Sequence, residues 1–170
     1  REFEVTDELF AAVYEQGDQV LKDCMDIATT TGMRLTDART CRMPVDGKLR
    51  FKSSKTGKMD YFVVAKSPVL TALLERRGKV DCVMLLTTPT GREVSRSMLR
   101  GRYDEARAKA AIAHPELADQ IKAMFLRDSR KRAADLASDD ASASALLQHS
   151  SVKLTTTHYR RKGTELKAVR

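Results

Sequence analysis

Two arginines, Arg127 and Arg130, stand three residues apart, so on a helix they share one face. His149 follows about twenty residues later, and Tyr159 ten residues after that, among the basic residues Arg160 and Arg161. Guanidinium forks are the side chains best shaped to hold phosphate oxygens. A phenol beside them can act as a nucleophile. A free phenol titrates at about pH 10, and neighbouring cations favour its ionised form. The chemistry these residue types suggest is phosphoryl transfer onto a tyrosine. Taken singly, each is ordinary: an isolated tyrosine is usually core or surface, and a histidine ending a helix usually just bonds the backbone.

The set gains meaning from order. Arg127-x-x-Arg130, Gln148-His149 and Tyr159 follow one another as do the H-x-x-R pair, the G-H box and the terminal tyrosine of the tyrosine recombinases (phage integrases), and the chain resembles the catalytic domain of that family. Upstream, Thr31-Gly32-Met33-Arg34 with Asp37 matches the family's T-G-x-R-x-x-E/D box. Read locally, that stretch is a helix junction, with Gly32 ending one helix and Arg34 opening the next beside Asp37. The resemblance implies that Arg34 and Arg130 clamp the scissile phosphate, His149 donates a further hydrogen bond and Tyr159 is the nucleophile. It also implies that Asp37 steadies the site, and that a hairpin lysine protonates the leaving 5′ oxygen. Lys55 fits that role best, with Lys58 next and Lys52 third. Arg127 stands where the family usually has histidine. Arginine stays protonated and accepts no hydrogen bond, so position 127 can hold a phosphate oxygen but cannot serve as a base. The resemblance implies no metal and no cofactor.

The bulk composition agrees with a polyanionic partner. Net charge is +8, in the range where nucleic acid is a reasonable expectation. It is unevenly spread: residues 1–23 carry a balance of −5, leaving +13 for the rest. Lys58, Arg96, Arg100, Lys131, Arg160 and Arg161 are the candidate contacts to duplex DNA. Cys24, Cys41 and Cys82 lie far apart, without a metal-binding spacing, which fits a reducing compartment. No apolar run is long enough to span a membrane.

The elements that must position these residues read as follows. Thr6 caps a first helix with Leu9, Phe10, Val13 and Tyr14 facing inward, and a second runs over about 19–29. Residues 49–52 and 61–65 alternate as strands about a turn at 53–59, with 42–45 as a third, edge strand where Pro44 is tolerated. Helices are expected over 69–76, 95–112, from Pro115, and over 141–149 behind a Ser138-Asp139-Asp140 cap. The fold class is α+β, predominantly helical with a small antiparallel three-stranded sheet, as one catalytic domain over 1–170 with a basic tail at 160–170. Because residue 1 is arginine, the chain is expected to be part of a longer protein whose N-terminal DNA-binding domain is missing. The resemblance then implies a homotetramer on DNA for the whole protein, a monomer for this piece, accessory DNA-bending or excisionase proteins, and a cytoplasmic setting in a bacterial or phage-infected cell. Two other readings remain: a non-catalytic DNA-binding module of the same fold, and a related topoisomerase or telomere resolvase.

Overall fold

In the computed structural model, residues 3–148 are described. Eight helices and one hairpin make up their framework: α1 Asp7–Gln16, α2 Gln19–Thr31, α3 Leu35–Thr40, β1 Lys48–Lys52, β2 Met59–Val63, α4 Pro68–Arg77, α5 Arg96–Ala113, α6 Ala118–Ala123, α7 Ser129–Asp135 and α8 Asp140–Leu146. Short 3-10 turns lie at Val64–Lys66, Pro115–Leu117 and Leu126–Asp128. No helix among the described residues is long and apolar enough to cross a membrane.

Local chemistry explains most helix starts. Thr6 Oγ1 accepts from Leu9 N and Asp18 Oδ1 from Leu21 N, at 3.2 and 2.9 Å. Ser67 and Ser95 do the same for α4 and α5. Each satisfies a backbone donor that the first turn would otherwise leave bare. Asp7 and Glu8 add negative charge at the positive end of α1. The second helix stops at Gly32, whose φ of 63° is the left-handed conformation that ends helices and favours glycine.

The core is a single cluster, in which Leu9, Val13, Leu21, Met25, Ile27, Leu49, Leu70, Leu85, Leu99 and Ile121 are among the buried members. The second helix is its axis, touching α3, α4, α5 and α7. A small satellite of Ala134, Ala143 and Leu147 joins α7 to α8.

The expected third strand does not form. β1 and β2 pair antiparallel, Leu49 opposite Phe62 and Phe51 opposite Asp60, as a two-stranded sheet. Residues 42–45 instead make isolated bridges, Arg42 to Met84 and Val45 back to Lys48. Met43 N donates to Val83 O and Leu85 N to Cys41 O, both at 2.9 Å. Pro44 has no N–H to extend a ladder, and the chain reverses immediately at Asp46 and Gly47, both with positive φ.

The acidic N-terminal segment also proves less separate than its charge pattern implies. Asp7 pairs with Arg132, Asp18 with Arg102 and Asp23 with Arg76, at 2.7, 2.8 and 2.9 Å. These carboxylates hold α1 and α2 to distant helices.

Candidate functional site

The Thr31–Arg34 box is built by the end of α2. Thr31 is fully buried; its hydroxyl donates to Ile27 O at 2.5 Å and accepts from Met33 N at 3.2 Å. The left-handed Gly32 turns the chain away. A Cβ there would lie 3.1 Å from both Leu146 Cγ and Leu147 Cδ2, so the missing side chain also lets the end of α8 close onto this corner. Two residues on, Arg34 is the N-cap of α3.

Gly32 supplies more than a turn. Its carbonyl accepts from Arg130 Nη1, and Leu147 O accepts from Arg130 Nη2. Arg130, only 8% exposed on α7, therefore has its guanidinium plane fixed by two carbonyls from opposite ends of the chain. That orientation turns it into the same hollow as Arg34. The two arginines, 96 positions apart in sequence, line one cavity of about 610 Å³ together with Arg127, Arg39, Arg96 and Arg100. Its floor is apolar, with Met33, Leu99, Tyr103 and Leu126. Guanidinium groups around a low-polarity floor attract anions more strongly than the same groups in open water.

Arg127 enters the cavity differently. It sits on the 3-10 turn Leu126–Asp128, exposed, with its guanidinium 4.8 Å from the centre of the Phe125 ring. It is thus not on one continuous helix with Arg130, although both reach the same hollow. Asp128 stabilises the turn by accepting from Phe125 N at 2.9 Å.

The hairpin is held to this corner by the T-G-x-R segment. Arg34 Nη1 donates to Ser53 Oγ at 3.2 Å, and the buried Asp37 accepts from Ser54 N at 3.1 Å. Lys55 lies in the exposed turn immediately beyond and is not among the cavity's lining residues. Lys58, at the far side of the turn, pairs with Asp60 at 3.3 Å.

Of the other candidate contacts, Arg96 and Arg100 project from the first turns of α5 and are exposed. Arg100 has a long contact of 3.7 Å to Asp104. Lys131 is half-buried on α7. His149, Tyr159, Arg160 and Arg161 lie outside the described residues.

Several contributors escape a reading of motifs. Arg39 lines the cavity while donating to Val94 O at 3.2 Å; its only sequence signal was a basic residue on the same short helix as Asp37. Phe125, the platform under Arg127, was legible merely as an aromatic two positions before it. The carbonyl clamp on Arg130 leaves no trace in side-chain identity at all.

No family model matches the sequence, and no curated protein matches it. Solved structures do. A lambda integrase dimer bound to a core site superposes with a TM-score of 0.74 at 18% identity, over 99% of this chain and 62% of that one. The lambda integrase catalytic core gives 0.68 at 17% identity, covering 86% of this chain and 91% of the other. XerA recombinase gives 0.67 at 16% identity, over 95% and 62%. The chain spans 51% to 62% of the lambda integrase chains in the DNA complexes. The fold shared with these proteins is that of the tyrosine recombinase catalytic domain: mostly helical, with a small antiparallel sheet.

Proposed function

We propose that the chain is the catalytic domain of a site-specific DNA recombinase that breaks and rejoins duplex DNA through a tyrosine. The observation that carries this reading is the convergence of Arg34 and Arg130, with Arg127, on one cavity. Two guanidinium groups fixed by the fold, rather than gathered on binding, suit a phosphodiester whose non-bridging oxygens gain charge in the transition state.

In this scheme Tyr159 Oη attacks the scissile phosphorus, forming a 3′-phosphotyrosine bond as the P–O5′ bond breaks. Arg34 and Arg130 hold the non-bridging oxygens, and His149 donates a third hydrogen bond to them. A hairpin lysine, Lys55 in preference to Lys58, gives its proton to the departing 5′ oxygen. The engagement of Lys58 with Asp60 favours that preference. The phenolic proton leaves to solvent, to the phosphate or to His158, because Arg127 has no lone pair to receive it. Attack of a 5′ hydroxyl from a second strand reverses these bond changes. Energy is conserved in the phosphotyrosine link, without nucleotide or metal. Arg127 contributes charge beside the phosphate.

Duplex DNA is the substrate, and Arg96, Arg100, Lys131, Arg160 and Arg161 are its candidate backbone contacts. The whole protein would act as a tetramer around two duplexes in the cytoplasm. Integration or excision of a phage or other mobile element, assisted by accessory DNA-bending proteins, is the corresponding biological role.

The test is covalent trapping. A nicked duplex, drawn from a randomised pool by its binding to the protein, loses its short 5′-hydroxyl fragment on cleavage and so cannot religate. The expected result is a protein–DNA adduct stable to denaturation, absent in Tyr159→Phe. Salt-sensitive binding with no adduct would assign the chain as a non-catalytic DNA-binding module. Relaxed circles or hairpin ends, in place of strand exchange, would assign it to a topoisomerase or telomere resolvase.

A further inference from the structure

The hairpin's second strand carries an unexpected residue. Leu49, Phe51 and Phe62 face the core side of the sheet, and Asp60, paired opposite Phe51, shares that face. Its side chain is 38% exposed, so it stands at the rim of that face rather than within the core. Asp60 has two partners. Its Oδ2 accepts from Gln148 Nε2, 88 residues away, and lies 3.3 Å from Lys58 Nζ.

Gln148 is itself in an unusual conformation. Its φ of 51° falls in the left-handed region, where a residue with a side chain sits at a cost. The preceding carbonyl, of Leu147, is held by Arg130. The turn that closes α8 is thus fixed by a cavity arginine on its backbone and by the hairpin on its side chain. In sequence, the next residue is His149.

We propose that Asp60 is a positioning residue, a latch that registers the lysine-bearing hairpin against the turn at residues 147–148 that Arg130 holds. The inference rests on the recombinase reading above. At the same, turn end the hairpin is also tied to α3 through Ser53 and Ser54. The latch completes a closed circuit: α3, hairpin, residue 148, Arg130 and back to Gly32 beside α3. Groups that must meet around one phosphate from three separate segments are held by it to a common frame. Positional errors of an ångström are enough to slow such chemistry by orders of magnitude.

The experiment is a double-mutant cycle on single-turnover adduct formation with the nicked duplex, alongside equilibrium DNA binding. Asp60→Ala and Gln148→Ala each slow adduct formation about tenfold, and the double variant is no slower than either alone. Binding stays within about twofold of the parent, as expected of a group that positions others. Asp60→Asn, which retains an acceptor oxygen for Gln148, recovers to within about threefold. Additive losses, an unaffected rate in Asp60→Ala, or an Asp60→Asn as slow as Asp60→Ala would each overturn the latch. A second readout is independent of turnover: in the free protein, Asp60→Ala shifts the Gln148 side-chain amide and His149 ring resonances. If neither moves, the latch is refuted whatever the kinetics show. A parent chain that forms no adduct refutes the recombinase reading and the latch's catalytic meaning, while the resonances still decide the contact.

Discussion

Arg77 and Arg130 are both buried, at 6% and 8% exposure, and both donate to backbone carbonyls. Their settings differ in what remains afterwards. Arg77, at the end of α4, donates to Leu85, Val80, Cys82 and Met84, through Nε, Nη1 and Nη2 at 2.8 to 3.3 Å. It is enclosed by the loop it organises. Arg130 donates to two carbonyls, of Gly32 and Leu147, and still lines the cavity shared with Arg34. One guanidinium is committed to folding a loop. The other is oriented by the fold toward an open hollow. Burial alone does not separate a structural arginine from a functional one; the acceptors around it and the space beyond them do.

Substitution should pull the two apart. Arg130→Lys keeps a charge but loses the planar fork, and adduct formation should fall by about 10²- to 10³-fold, the loss typical of one oxyanion donor. Its urea midpoint should move far less than that of the loop arginine. Arg77→Met leaves four carbonyls without their charged donor and should cost on the order of 3 kcal/mol of stability by urea unfolding. Per folded molecule its adduct rate should stay that of the parent. Should Arg77→Met cut the rate at a temperature where it is fully folded, the distinction between the two sites is wrong. Arg127→Ala is expected to be milder on both axes. Its cation–π contact with Phe125 is exposed and worth about 0.5–1 kcal/mol, and loss of one charge beside the phosphate should slow cleavage about tenfold. A drop as large as that of Arg130→Lys would promote Arg127 to an equal member of the clamp.

How much of this was legible beforehand follows from where each signal is written. The Gly32–Arg34 corner is a local motif, so the helix end and the new N-cap are readable from the residues themselves. The convergence of Arg34 with Arg130 was expected only through the family's order of boxes, because no spacing rule links positions so distant. The hairpin was legible as alternation about a polar turn. Residues 42–45 alternate too, but periodicity does not report that Pro44 withholds a donor or that Asp46 and Gly47 reverse the chain. Arg77 was invisible as a staple, since its partners are carbonyls and every residue has one. The acidic N-terminal stretch was legible only as a local charge balance of −5 over residues 1–23. Its carboxylates instead reach arginines 53 to 125 residues away, as in the Asp23–Arg76 and Asp7–Arg132 pairs, and charge balance carries no information on such pairing.

Arg76, adjacent to Arg77, sharpens the comparison a last time because its acceptors can titrate. It bonds Asp23 and Asp26 at 2.9 Å each, and Asp26 also accepts from Tyr14 Oη at 3.1 Å. Burial raises the Asp26 carboxyl above its ordinary value, against the opposing pull of the Tyr14 hydrogen bond and the Arg76 charge. The same surroundings push Tyr14 up to about 12, burial first and then the Asp26 charge. For Asp26 the folded chain holds its proton to a higher pH than the unfolded chain does. Its contribution to stability is therefore full below the ordinary carboxylate range, near pH 4, and declines as pH rises through the folded value. Asp26→Asn retains an acceptor for Tyr14 and Arg76 but has no proton to lose. The gap in urea midpoint between Asp26→Asn and the parent should shift in the variant's favour from about pH 4 toward neutrality, then level off. This is the smallest of the four effects, since Asp23 also bonds Arg76. Arg77 offers the contrast: carbonyls do not titrate, so the stability difference between Arg77→Met and the parent should be flat across the same range. A gap that moves instead in the parent's favour with rising pH would mean that the Arg76 pair, not burial, governs the carboxyl.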